Sequence, residues 1–202
     1  AVHKGLSYAN FRAAGEDTDH DLLILTGKTA LGAATTLEAS GLLVPDVLAN
    51  FTLELNQNWT LGEWGFRPGL RLMTQFDEGG GAIGGASLNG NVSNPQPRGY
   101  TNPDSLDARL IGIRGVFEHP EKVLRVQLGF TRVSDKADLV TPWRGFPTGG
   151  YTRAMGRYNW RADTDSYMLQ VNVDYDRLEW VKGLKSTMRY AYMDFDEGKG
   201  FT

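Results

Sequence analysis

Asp165-Ser166-Tyr167-Met168-Leu169-Gln170-Val171-Asn172-Val173-Asp174-Tyr175 is the stretch on which the fold turns. Its odd positions carry Tyr167, Leu169, Val171, Val173 and Tyr175, and its even positions carry Ser166, Met168, Gln170, Asn172 and Asp174. Successive side chains of a strand point to opposite faces. One face here is apolar from end to end, with an aromatic at each end, and the other is rich in amide and carboxylate groups. A strand with hydrocarbon outside, water inside and rings at both membrane interfaces has this pattern.

The alternation recurs. Phe51, Leu53, Leu55, Trp59 and Leu61 oppose Thr52, Glu54, Asn56 and Asn58, and Trp64, Phe66, Leu70, Leu72 and Phe76 oppose Gly65, Arg67, Gly69, Arg71 and Gln75. Leu124, Val126, Leu128 and Phe130 oppose Arg125, Gln127, Gly129 and Thr131, and Met188, Tyr190 and Tyr192 oppose Lys185, Thr187 and Arg189. Weaker alternation over 4–12, 21–30, 35–44 and 105–117 brings the expected strands to nine. Each is near the ~9–11 residues that a tilted membrane strand needs. Connections at 31–33, 61–63, 118–121 and 178–182 are short. Those at 13–20, 45–49, 77–104 and 134–162, with the tail from Asp196, are expected on the opposite side. Short turns at one end and long loops at the other belong to an outer-membrane barrel.

Composition agrees with this class. The chain has 202 residues, a formal net charge of −3 and no basic tail, so it carries no electrostatic footprint for nucleic acid. No run approaches the ~18 apolar residues of a membrane helix, a test that spanning strands escape. There are no cysteines, and the three histidines (His3, His20, His119) are scattered. No metal, cofactor or catalytic constellation is visible, and no enzyme is expected. The first residues are not a signal peptide. Gly27-Lys28-Thr29 mimics the end of a phosphate loop but lacks the earlier glycine and sits in a strand pattern. The acidic run Glu16-Asp17-Thr18-Asp19-His20-Asp21 is expected to be an exposed loop without chemistry.

Two loops read differently. Residues 77–104 carry Gly79-Gly80-Gly81, Gly84-Gly85 and Asn94-Pro95-Gln96-Pro97, the composition of a flexible external loop. Residues 134–162 are dense in Trp143, Arg144, Phe146, Tyr151, Arg153, Arg157, Tyr158, Trp160 and Arg161. So many large side chains must pack on something, and the nearest surface is the pore wall.

The run Val133-Ser134-Asp135-Lys136-Ala137-Asp138, then Thr141-Pro142-Trp143-Arg144-Gly145-Phe146-Pro147-Thr148-Gly149-Gly150-Tyr151-Thr152-Arg153-Ala154-Met155, resembles the OprD-type outer-membrane porins, in the branch found in epsilon-proteobacteria. Tyr158-Asn159-Trp160 and Arg189-Tyr190-Ala191-Tyr192-Met193-Asp194-Phe195-Asp196 continue the resemblance. It implies a monomeric barrel of roughly eighteen antiparallel strands in the outer membrane of a Gram-negative bacterium. It also implies inward-folded loops and a ladder of basic side chains guiding small carboxylate-bearing or amino-acid-like solutes. The chain has half the expected strands and lacks a terminal aromatic strand, so a partial all-β barrel domain is expected over 1–202.

The expected basic wall is Arg67, Arg71, Arg114, Arg125, Lys185 and Arg189, with Glu54 and Asp174 as acidic lumen groups. Cations lining a narrow lumen raise the local concentration of anionic groups and pass them from site to site. The expected constriction is Arg144, Tyr151, Arg153, Arg157, Tyr158 and Arg161, where guanidinium forks grip carboxylates and phenols orient them. The alternative is that these arginines pin the loop to acids such as Asp174. Rival functions are a structural barrel sheathing a partner, whose lumen would hold a protein plug, and a soluble β-sandwich, in which the apolar faces would meet in a dry core.

Overall fold

The computed structural model describes residues 5–88, 99–141, 149–153 and 159–199. They form one antiparallel sheet of β1 (Leu23–Ala30), β2 (Thr35–Val44), β3 (Leu48–Gln57), β4 (Trp59–Leu61), β5 (Trp64–Asp77), β6 (Ala108–Glu118), β7 (Leu124–Val133), β8 (Thr164–Asp174) and β9 (Lys185–Phe195). Neighbours in sequence are neighbours in space, β1-β2-β3-β5-β6-β7-β8-β9, with β4 also on β5. β3 and β4 hold one register against β5, Asn56 opposite Gly69 and Trp59 opposite Phe66. They are one span interrupted at Asn58, whose N–H donates to the Ala34 carbonyl. The sheet is open: β1 pairs only with β2 and β9 only with β8 among the described residues.

The strand at 4–12 is corrected. Tyr8–Ala14 is a helix, α1, closed by Gly15 at φ 79°. Asn10 and Phe11 are the buried residues of the helix, and Leu6 is buried just before it. Over so few residues the two periods overlap, and the loop packing decides between them. The connection lengths also need correction: β2 and β3 are joined by only 45–47, and β8 and β9 by the longer 175–184. The end-to-end asymmetry rests on 78–107 and 134–163.

The two faces separate as the alternation requires. Tyr167 is 48% exposed and Tyr190 66%, while Ser166 between β7 and β9 is fully covered. Outward Leu53, Leu72, Ile113, Leu128 and Leu169 form an aliphatic band. At the turn end lie Trp59, Phe66 and Phe117, with Phe66 and Phe117 stacked at 4.5 Å. At the loop end Phe130 meets Tyr167 at 5.2 Å, and Tyr167 meets Tyr192. The belt drifts across the sheet. The row through Tyr192, Tyr167, Phe130 and Ile113 reaches β5 at Leu70, about six residues short of its last outward aromatic, Phe76.

The dry core lies on the inner face at the loop end. Val44, Leu48, Met73, Ala108, Leu110 and Val133 from the strands receive Leu6, Phe11, Val47, Ile83, Ala86, Leu88, Leu106, Leu139, Val140 and Trp160 from the connections. The loop 77–104, expected to be external, is in its described parts a component of this core; residues 89–98 lie outside the described residues. Its glycines serve close packing. The short helix α2 (Gly80–Gly84) lies so near the 45–47 turn that a Cβ on Gly80 would stand 2.6 Å from the Val47 carbonyl oxygen.

Candidate functional site

The register sorts the inner face into cross-strand rows roughly 7 Å apart, two residues per step. The first row is Glu54–Arg71–Gly112–Thr131–Ser166 and the next is Asn56–Gly69–Arg114–Gly129–Met168. Then come Arg67–Val116–Gln127–Gln170–Arg189, Glu118–Arg125–Asn172–Thr187 and finally Asp174–Lys185. Every one of these five rows holds a cation. On the loop side of the first row the inner face turns apolar with Met73, Leu110 and Val133.

Two side chains extend the first row. Lys28 on β1 donates to Glu38 on β2 at 2.5 Å, and Glu38 faces Glu54 across β2 and β3. The sequence signal for them was the alternation of 21–30 and 35–44, obscured by the phosphate-loop resemblance of Gly27-Lys28-Thr29. Lys28, Glu38, Glu54 and Arg71 line a cleft of about 770 Å³ whose far wall is Leu139, Val140 and Thr141.

The densest polar cluster is built on Glu54, 8% exposed. Arg71 donates its Nε to Glu54 Oε2 at 2.7 Å, and its Nη2 reaches the same oxygen. Asn56 Nδ2 donates to Glu54 Oε1 at 2.9 Å, and Arg114 Nη2 lies 3.6 Å from that oxygen while donating to Asn56 Oδ1 at 2.6 Å. Arg114 reaches across β5 because Gly69 leaves the way open; a Cβ there would meet its Nε at 2.9 Å.

Tyr151 closes this cluster from the loop. Its ring lies beneath both guanidinium groups, 5.0 Å from Arg71 and 4.6 Å from Arg114. Arg71 Nη1 also donates to the Gly149 carbonyl at 2.7 Å. The loop backbone is seated on small wall residues. Tyr151 N–H donates to Thr131 Oγ1 at 3.1 Å, Thr152 Oγ1 bonds Ser166 Oγ at 2.7 Å, and Asn159 Nδ2 donates to Thr152 Oγ1 at 2.9 Å. Gly150 lies against Thr131 with no room for a Cβ. Gly150→Ala is therefore expected to lift the loop and cost about 1–3 kcal/mol of overpacking strain. Unchanged thermal unfolding and unchanged conductance would contradict that seat.

The wall arginines Arg71 and Arg114 hold the loop. Tyr151 joins Arg71 and Arg114; Arg153 is exposed over the Trp160 ring at 5.6 Å, and Arg161 acts electrostatically on Asp138. Arg144, Arg157 and Tyr158 lie outside the described residues. Asp174 pairs with Lys185 at 2.9 Å and Arg177 at 3.4 Å near the turn end. Arg67 pairs with Glu118 at 2.7 Å. The hydrogen bonds of Arg125 and Arg189 go to amides instead: Arg125 Nη2 to Gln127 at 3.2 Å, Arg189 Nε and Nη2 to Gln170 at 2.9 and 2.6 Å.

Asp138 organises the core above the wall. Its Oδ2 accepts from Leu88 N–H at 2.8 Å, and its Oδ1 accepts from Tyr100 O–H at 2.6 Å and Ala162 N–H at 2.8 Å. Burial pushes its carboxyl above the ordinary carboxylate range, against the pull of these donors and of Arg161. Gln75 on β5 fastens the same loops to the sheet, donating to the Leu106 and Asp138 carbonyls and accepting from Val140 N–H at 2.9 Å. Among the described residues no acidic or histidine group is arranged to hold a metal ion.

No protein-family model matches the chain, and no curated protein is similar to it. Solved structures are. Pseudomonas aeruginosa OccK8 (OprE) superposes with a TM-score of 0.68 at 17% identity, over 84% of this chain and 43% of that one. Pseudomonas aeruginosa OccK5 (OpdH) gives 0.68 at 12% identity, over 87% of this chain and 42% of that one. Pseudomonas aeruginosa OpdK with vanillate gives 0.62 at 15% identity, over 84% and 40%. The chain thus spans less than half the length of these structures. Within that span its fold is that of these OprD-type structures, an antiparallel β-barrel sheet, open here, with its connections packed on the inner face.

Proposed function

We propose that the chain forms wall and inner loops of an outer-membrane channel for passive diffusion of small polar solutes, with carboxylate-bearing ones preferred. The observation that carries this is the stair of cations, at least one in each of five successive inner rows from Arg71 to Lys185. Successive inner rows lie roughly 7 Å apart along the strands, so a solute anion leaving one row of the stair meets a cation in the next. Each contact stays weak enough to release. The vanillate present with OpdK is a small carboxylate, which agrees with this solute class. Passage is diffusional and no bond is made or broken. Tyr151, with Arg71 and Arg114, narrows the lumen at the upper end of the stair, where the dry core ends.

Arg125 and Arg189 give the cleanest test, because neutralising them strands no hydrogen-bonded carboxylate. In planar bilayers, Arg125→Gln with Arg189→Gln in the full-length protein is expected to lower the anion-over-cation permeability ratio severalfold with little change in conductance. Unaltered selectivity would assign the stair to packing.

A further inference from the structure

Two arginines project from the outward face, where hydrocarbon would exclude them. Arg109 on β6 has the parity of Ile111 and Ile113, Arg132 on β7 that of Leu128 and Phe130, and both are exposed. Their height resolves the conflict. Arg132 stands one outward step beyond Phe130, a member of the loop-end aromatic belt. Arg109 stands one outward step beyond Ile111, in the row of Thr74 and below the level of Phe76. Both therefore lie at the margin where acyl chains give way to headgroups.

They also lie together. Arg132 faces Ile111 across the β6–β7 pair, which makes Arg109 its diagonal neighbour, ~7–8 Å away and within reach of a shared ligand. Arg132 spends Nη1 on Asp165 at 3.2 Å, and its Nε and Nη2 make no hydrogen bond with another described residue. The side chain of Arg109 makes no hydrogen bond or ion pair with another described residue; only its backbone is engaged, its N–H donating to Ser134 Oγ at 3.0 Å. Asp165 and Asp194 continue the row on the far side and confine the cationic site to the Arg109 side.

We propose that Arg109 and Arg132 form a seat for the phosphate of a lipid headgroup in the leaflet at the loop end. Two guanidinium forks offer several N–H donors to the phosphate oxygens, and the acyl chains fall naturally along Ile111, Ile113 and Phe130. This rests on the sheet spanning lipid and is independent of the solute path.

The test uses the full-length protein in nanodiscs of phosphatidylcholine with phosphatidic acid added, the retained lipid being counted by native mass spectrometry. Arg109→Gln with Arg132→Gln is expected to reduce retention of phosphatidic acid about tenfold. Arg109→Gln alone, which breaks no described side-chain contact, is expected to give part of that loss, and Lys136→Gln none. Equal retention by the double and single variants and the unaltered protein would overturn the seat. So would displacement of the lipid by inorganic phosphate at equal concentration, which would assign the pair to a free ion.

Discussion

Asp138→Ala is expected to be the most destabilising single change among the described residues. The carboxylate is 1% exposed and is the acceptor for two backbone N–H groups and one phenol, drawn from the two connections 78–107 and 134–163. Alanine leaves all three donors buried and unpaired. At ~1–3 kcal/mol for each of the three orphaned groups, the loss is on the order of 3–9 kcal/mol. Asp138→Asn keeps an oxygen for Tyr100 and Ala162 but turns an amide toward Leu88 N–H, so it should fall between the alanine variant and the unaltered protein. Thermal unfolding in detergent, with limited proteolysis across 78–107 and 134–163, ranks the three. An alanine variant that melts with the unaltered protein would remove Asp138 from the centre of the core.

Ile113→Arg is expected to show which medium touches the outer face. Ile113 lies mid-strand on β6 between Leu70 and Phe130 and is 49% exposed, with no acid in its row from Leu55 to Tyr192. Against acyl chains the guanidinium costs ~2–4 kcal/mol at the midplane. Against water it would cost almost nothing. Thr187→Arg, on the inner face of β9, is the companion change and should stay within ~0.5 kcal/mol. Folding into vesicles measured by urea titration separates them; equal midpoints would place water on both sides of the sheet.

The facing of the strands was legible because a two-residue period is written directly into Tyr167 against Ser166 or Leu128 against Gln127. The cationic wall was legible for the same reason, since Arg71, Arg114 and Arg125 had only to be assigned a parity. Their stair was not, because it needs the register of every strand pair. Lys28 and Glu38 were passed over although their parity was readable. The loop core was hidden more deeply. Ile83, Leu139 and Trp160 follow no period, and their partners lie on other connections. Gly80, Gly81 and Gly84 suggest slack by composition, although here they permit close backbone contact. α1 was lost to the brevity of its segment.

The shared carboxylate of Asp138 bears on how this fold diversifies. Its partners belong to separate connections, so no one of these loops is an interchangeable module. A graft of 134–163 from a distant relative would arrive with its own steric demands on residues 88 and 100. On the proposed channel reading, variation in solute choice should therefore accumulate first along the stair below Tyr151, where side chains can change singly, and only in concert above it.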